Sequence, residues 1–277
     1  VYMWPKNASN LQLTVFISAT LLISIGAAVL AGTNPKLIGV ASIGYVVPAV
    51  VAITLNILHH KGVSNVYQPV FYGTTRRSLL FAVAYPAVFV ALVAVIAVAS
   101  GKAVINSGNL PAFTELAAVF VIIFLWMVLA FGEEYGWRGF LLPALAARFG
   151  RLRATIVVGL VWALYHLPAD YLVNKGSADV WLTCLIHGAL VFVTSFPISY
   201  CYFQTKGSIT GVLLFRAVWD VAHIVVLGAP DSKAHTVLVG SYTIFGSVPL
   251  TLIVGTAAAI VFGWMLSKNG VRVKEKA

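Results

Sequence analysis

The sequence predicts an all-α, polytopic integral membrane protein with about eight transmembrane helices, built as a single transmembrane domain over residues 1–277. Three observations predict it. Sixty per cent of the residues are apolar and only 9% are charged, which departs strongly from the balance of a soluble domain. Apolar runs of about 20 residues recur along the whole chain, each long enough to cross a hydrocarbon core of ~30 Å. Between them lie short connectors such as "GTNPK", "RFGRLR" and "NKGSAD", which carry turn-forming and basic residues. No internal repeat or separate soluble domain interrupts the pattern.

Taken in order, the first expected span is 11–32, following Lys6. Its length favours a spanning helix over a cleaved signal peptide. The second is 37–58, ending at His59, His60 and Lys61, and the third is 78–100, entered through Arg76 and Arg77. The fourth, 114–147, is 34 residues long, so it is expected to tilt or to protrude into the cytoplasm. Gly136, Gly139 and Pro143 permit a bend there. The remaining spans are 154–172, 179–203, 207–228 and 236–267. The polar residues that need explaining concentrate in a core of 114–228.

The net charge of +10 would suggest nucleic acid in a soluble domain. Here Lys and Arg sit mainly in loops and the C-terminal tail, where they meet headgroups and set orientation. The expected partners are therefore the lipid bilayer and a membrane substrate, with no nucleic acid. With the N-terminus inside, Lys6, Lys61, Arg76, Arg77, Arg148, Arg151, Arg153, Lys206, Lys268, Arg272, Lys274 and Lys276 are cytoplasmic. Lys36, Lys102, Lys175 and Lys233 lie opposite. That asymmetry places both termini in the cytoplasm, with the plasma membrane as the site in a prokaryote. Cys184 and Cys201 both fall in apolar runs and offer no disulfide framework or CxxC site.

Arg138 and Arg216 lie inside spans, as do Glu133, Glu134, His166, His187, Asp220 and His223. Ionisable groups at membrane depth are costly and face a bundle interior or watery cavity. At ~1.5 Å per residue, Glu133, His166, His187, Asp220 and His223 all lie about 18–24 Å from their cytoplasmic helix ends, and Arg216 about 14 Å. One polar layer is expected. Glu134 and Arg138 are i,i+4 neighbours and can pair, whereas Glu133 is rotated about 100° away and can act elsewhere. Arg216, Asp220 and His223 fall on one helical stripe, as do Trp162, His166 and Asp170. His187 shares its face with Thr183 and Thr194. His59, His60 and His235 sit in loops or at span ends and need no role.

These residues resemble the motifs of the CPBP family of CAAX proteases and bacteriocin-processing enzymes, also called Abi, which includes the Ras-converting type of CAAX protease. Its EExxxRG motif stands here as "EEYGWRG", Glu133 to Gly139. Its aromatic-xxx-His motif stands as "WALYHLP", with Trp162 where Phe is more usual and His166 in place. The lead-in to its last motif stands as "KGSI", residues 206–209. The resemblance implies an eight-helix CAAX-protease-type bundle in which Glu133 and His166 activate a water. It departs at the last motif, where HxxxN is replaced by Arg216 and Asp220 in "RAVWD". Arg216 then takes the oxyanion-stabilising position. Asp220, which accepts but does not donate when ionised, holds Arg216 or orients His223.

The function expected from this reading is intramembrane endopeptidase activity on a membrane-anchored or lipidated peptide or protein. Glu133 is the general base, His166 its partner, Glu134 and Arg138 the lock on the base's helix, and Arg216, Asp220 and His223 auxiliary groups. No cofactor is required. Zinc held by Glu133, His166, His187 and His223 is an open alternative. A non-catalytic bacteriocin-immunity protein or membrane scaffold is the competing class, supported by the RxxxD departure. A proton-coupled transporter comes third, because buried Glu, Asp and His also form proton relays.

Overall fold

A computed structural model describes residues 5–33, 39, 43–63, 66–71, 73–106, 116–227, 238–240 and 248–271. Lys36, Lys233, His235, Arg272, Lys274 and Lys276 lie outside the described residues. Among the described residues, seven helices are long and apolar enough to cross a membrane. They are α1 (Asn10–Thr33), α4 (Arg76–Ala99), the continuous unit of α5 (Leu116–Gly136) and α6 (Leu142–Phe149), α7 (Arg151–Asn174), α8 (Val180–Phe203), α9 (Thr210–Ala222) with its C-terminal extension, and α10 (Val248–Val271). Two shorter helices are α2 (Val47–His60) and α3 (Gln68–Phe71).

The second expected span, 37–58, needs correction. Residues 37, 38 and 40–42 lie outside the described residues, and within the described ones α2 has 14 residues, about 21 Å of helix against a core of ~30 Å. Pro48 sits in its first turn, where a missing N–H costs nothing. The preceding described residues, 43–45, form a 3₁₀ turn instead. A second correction concerns 236–267. Residues Leu238–Gly240 form a strand, β2, antiparallel to β1 (Ala103–Ile105), with Ala103 opposite Gly240 and Ile105 opposite Leu238. The β-branched Val104, Ile105 and Val239 suit that pairing, so the otherwise all-α chain carries a two-stranded ribbon joining the connectors after α4 and before α10.

The long fourth span is one continuous unit with a defect in it. Between α5 and α6 the backbone widens into a π-helical turn, Trp137–Leu141, closed by the Leu142 N–H on the Trp137 carbonyl. Pro143 follows two residues later. It has no N–H and its ring crowds the carbonyl four residues earlier, that of Gly139, so a wider turn there removes the conflict. The helix ends at Gly150, whose φ of 80° is reached readily by glycine alone. α4 starts from a reciprocal capping box, Thr75 accepting from the Ser78 N–H and Ser78 from the Thr75 N–H, which satisfies two otherwise free donors.

Around α5 and α6 the bundle closes tightly. α2 and α9 pack against α5, α1 and α6 against α7, and α8 against both α7 and α10. Phe16, Tyr135, Trp137, Phe140, Trp162 and Phe215 are fully buried here. Gly132 and Gly136, one helical turn apart, let the entry to α2 approach α5. A methyl group on Gly132 would lie 2.0 Å from the Tyr45 carbonyl oxygen, and one on Gly136 would lie 2.5 Å from the Pro48 side chain. This small-xxx-small contact brackets Glu133 and Glu134, so the close helix approach and the polar pair are the same place in the fold.

Candidate active site

Glu133 and Glu134 leave α5 one step apart and enter two different networks. Glu134 faces Arg138 one turn later on the same helix unit. The Arg138 Nη1 donates to both Glu134 oxygens at 3.0 Å, and both side chains are fully buried. The Arg138 Nη2 reaches the Ser195 Oγ of α8 at 3.3 Å. Arg216, from α9, brings its Nε within 3.9 Å of Glu134 Oε1 and its Nη2 within 3.7 Å of Asp220. The expected i,i+4 pairs therefore form, and Arg216 additionally links α9 to α5.

Glu133 points toward α7. Its Oε2 accepts a hydrogen bond of 2.7 Å from the Trp162 indole N–H. His166, on the next turn of α7, places Nε2 4.0 Å from the same oxygen. The His166 Nδ1 is 2.9 Å from the Trp162 carbonyl. A carbonyl only accepts, so Nδ1 carries a proton, and in its neutral form the ring presents the Nε2 lone pair to Glu133. In that form two acceptors face each other across 4.0 Å. The Glu133 side chain is 4% exposed and that of His166 19%, so the pair is reached from the histidine side.

Trp162 is the residue that organises both networks, and reading the sequence assigned it only an aromatic position in a motif. Its N–H meets Glu133, while the Arg138 and Arg216 guanidinium carbons lie 4.3 and 4.9 Å from its ring centre. An indole face attracts cations, so one side chain holds the base with its edge and two arginines with its face. Phe at this position would supply the face without the donor. That difference was the signal available in the sequence.

His187 and Asp170 were the other unassigned finding. His187 Nδ1 lies 2.7 Å from Asp170 Oδ2, bridging α8 to α7, and the His187 ring stands edge-on to His166 at 5.4 Å and 84°. His187, placed by the sequence on one face with Thr183 and Thr194, is hydrogen-bonded to Asp170 next to the Glu133–His166 couple.

His223 does not join the layer. Its Nδ1 is bonded to the Trp219 carbonyl at 2.8 Å, and its ring packs on Trp219 and Phe89. A π-helical turn begins at His223. The expectation that Asp220 orients His223 is replaced by the Asp220–Arg216 pair. The residues named for zinc, Glu133, His166, His187 and His223, are not brought together as one set: among the described residues no three His, Cys, Asp or Glu side chains group as metal ligands.

Residues 115–222 match the family model described as type II CAAX prenyl endopeptidase Rce1-like. CAAX prenyl protease 2 of Methanococcus maripaludis is 24% identical over 116 residues, which cover 40% of this chain and 43% of that protein. The chain thus matches less than half the length of that curated relative. The family-model match covers the motif-bearing helices, and the two matches support the CPBP resemblance drawn from Glu133, Glu134, Arg138 and His166.

Proposed function

We propose that the chain is an intramembrane endopeptidase that hydrolyses a peptide bond close to the lipidated or membrane-embedded end of its substrate, a prenylated C-terminal segment being the first candidate. The observation that carries this reading is the facing pair of acceptors, Glu133 Oε2 and His166 Nε2, 4.0 Å apart, with Glu133 the more buried of the two. A water between them donates one proton to each and turns an oxygen lone pair outward. Glu133 takes a proton as that oxygen adds to the substrate carbonyl carbon. His166 holds the attacking water in line, and Trp162 fixes the base through its N–H. Arg216 supplies a fixed positive charge for the oxyanion that forms. The Glu134–Arg138 pair locks the helix from which the base projects.

The name of the Methanococcus maripaludis relative supports the substrate class, and the match to the Rce1-like family model supports the reaction class. The reading uses no metal. The experiment is cleavage of an S-prenylated cysteine peptide in proteoliposomes by the full chain and by Glu133→Gln, with and without a chelator. Loss of cleavage in Glu133→Gln with normal membrane insertion is the expected result. Equal cleavage by both proteins refutes the assignment of the base.

A second reading rests on Arg216. Its contacts to Asp220 at 3.7 Å and Glu134 at 3.9 Å suit a helix lock as well as an oxyanion site, which favours a membrane scaffold or immunity protein built on the same bundle. Specific retention of the prenylated peptide with no turnover by the wild-type protein is the outcome that supports it.

A further inference from the structure

Resting on the hydrolytic reading above, we propose that the Tyr45 hydroxyl is a second donor to the oxyanion, acting beside Arg216. A carbonyl oxygen that becomes an oxyanion takes more than one hydrogen bond, and donors fixed in advance stabilise it most. Several donors of the polar core are already engaged. The Trp162 N–H is on Glu133, and Arg138, fully buried, is held by Glu134 and Ser195. Asp220 only accepts while it is ionised. A phenol brings an O–H that keeps its proton at neutral pH and adds no charge to the core.

The backbone brings Tyr45 to the site. It belongs to the 3₁₀ turn of residues 43–45, closed by the Val46 N–H on the Ile43 carbonyl at 3.0 Å. The helices that carry Glu133 and His166, α5 and α7, both hold this turn. On the α5 side the Tyr45 carbonyl rests on Gly132, the residue before Glu133, and leaves no room there for a methyl group. On the α7 side the Tyr165 hydroxyl donates to the Gly44 carbonyl, and the Tyr165 ring stands edge-on to that of His166 at 5.9 Å and 82°. Depth agrees with contact. The 14 residues of α2 make about 21 Å of helix, which sets the turn ahead of Val47 in the layer counted for Glu133 and His166.

The charges of Glu133, Arg216, Asp220 and Asp170 all act on the Tyr45 hydroxyl. These groups project from α5, α9 and α7, so a phenol that feels all four lies over the space the three helices enclose. Tyr45 is 56% exposed, against 4% for the Glu133 side chain, which puts the phenol on the open side of the base. No covalent bond to Tyr45 is made. As the water oxygen adds to the carbonyl carbon, the C=O π pair moves onto oxygen, and the Tyr45 O–H and the Arg216 guanidinium donate hydrogen bonds to it. When the C–N bond breaks, that pair re-forms the C=O and the phenol keeps its proton.

A tyrosine that only packs on the substrate makes a different prediction, because it serves ground state and transition state alike. The test is Tyr45→Phe in the full chain in proteoliposomes. It is read with an S-prenylated cysteine peptide and with the phosphinic counterpart of that peptide, whose tetrahedral phosphorus and charged oxygens stand in for the intermediate. Loss of one oxyanion donor costs about 100- to 1,000-fold in kcat. The lower end is expected here, because water reaches an exposed position and replaces part of the hydrogen bond. KM should change little, and the phosphinate should bind more weakly by a factor close to the loss in kcat. The ring and the backbone contacts to Gly132 and Tyr165 are kept, so the melt in detergent should not move. An unchanged kcat, or phosphinate binding equal to that of the wild type, overturns the proposal. Glu133→Gln is the parallel control. If it cleaves the peptide at the wild-type rate, the hydrolytic reading has failed and the proposal falls with it; if it does not cleave, the Tyr45→Phe result decides the proposal on its own.

Discussion

Replacing Glu134 tests how the polar core is held in the membrane. Glu134 and Arg138 are both fully buried and joined by two contacts of 3.0 Å. Removing one partner of such a pair costs about 3–5 kcal/mol because the other charge is left uncompensated. The two single substitutions are not equivalent. In Glu134→Gln, Arg138 cannot shed its proton and keeps a neutral amide, the Ser195 hydroxyl at 3.3 Å and the Trp162 ring face but no paired carboxylate, so the larger part of that cost applies. In Arg138→Met, Glu134 retains Arg216 at 3.9 Å and the loss falls at the lower end of the range. The double variant Glu134→Gln/Arg138→Met removes both charges while Arg216 keeps Asp220 at 3.7 Å, so stability returns most of the way toward wild type. At about 2–4 °C per kcal/mol for a chain of this size, Glu134→Gln alone lowers the melting temperature in detergent by ~10 °C. The assay is a four-protein cycle of melts and SDS-titrated unfolding. A coupling energy of at least about 2 kcal/mol is expected. A double variant whose loss equals the sum of the two singles refutes the account of a mutually neutralised pair.

Trp162→Phe keeps a ring face for Arg138 and Arg216 but removes the 2.7 Å donor to Glu133. A hydrogen bond to a charged group is worth about 1.5–3 kcal/mol, so kcat for the prenylated peptide should fall by about tenfold or more with KM little changed; an unchanged kcat removes Trp162 from the site. Gly132→Ala places a methyl 2.0 Å from the Tyr45 carbonyl and should destabilise the protein by about 1–3 kcal/mol. Gly26→Ala, with nothing within 4 Å, should be neutral or slightly stabilising, and matching melts for the two would contradict the close approach of α2. Because the described His and carboxylate side chains do not group as metal ligands, chelator treatment should leave the cleavage rate unchanged, and loss of activity restored by added zinc would reverse that reading.

The sequence carried the depth of the site better than its orientation. Counting residues from basic helix ends put Glu133, His166 and His187 in one layer, because helix rise is constant. The i,i+4 rule put Glu134 on Arg138, because both belong to one helix unit. Contacts between helices were a different matter. That Asp170 meets His187, or that Arg216 reaches Glu134, depends on how α7, α8 and α9 are rotated about their axes, and single-helix periodicity does not encode that rotation. His223 bonds to the Trp219 carbonyl and packs on Trp219 and on Phe89 of α4, contacts that the stripe alone does not encode. α2 was overread because hydropathy scores composition, and the apolar residues before Val47 count toward a span whether or not they continue the helix. The strand pairing of Ala103–Ile105 with Leu238–Gly240 joins segments more than 130 residues apart, beyond the reach of any local signal.

The RxxxD departure makes sense as charge conservation within that core. At the last motif, a neutral His and an Asn contribute no net charge, and Arg216 with Asp220 also sum to zero. Either version leaves the Glu133, Glu134 and Arg138 set with one uncompensated negative charge, the one assigned to the base. A change to Arg alone would have brought an unmatched cation into a region where isolated charges are expensive, and a change to Asp alone would have added a third carboxylate beside Glu133 and Glu134. The pair costs least when both arrive together, and the 3.7 Å contact between Arg216 and Asp220 is the form in which they are retained. What the exchange alters is the donor. Guanidinium offers a permanent, planar set of N–H groups where imidazole offers one that depends on its protonation. Of these, the Arg216 Nε is buried and makes no hydrogen bond, being 3.9 Å from Glu134, while the ring of Trp162 lies against the guanidinium face. A buried donor without a hydrogen bond is costly, and a developing oxyanion within its reach is the acceptor that would recover that cost only in the transition state.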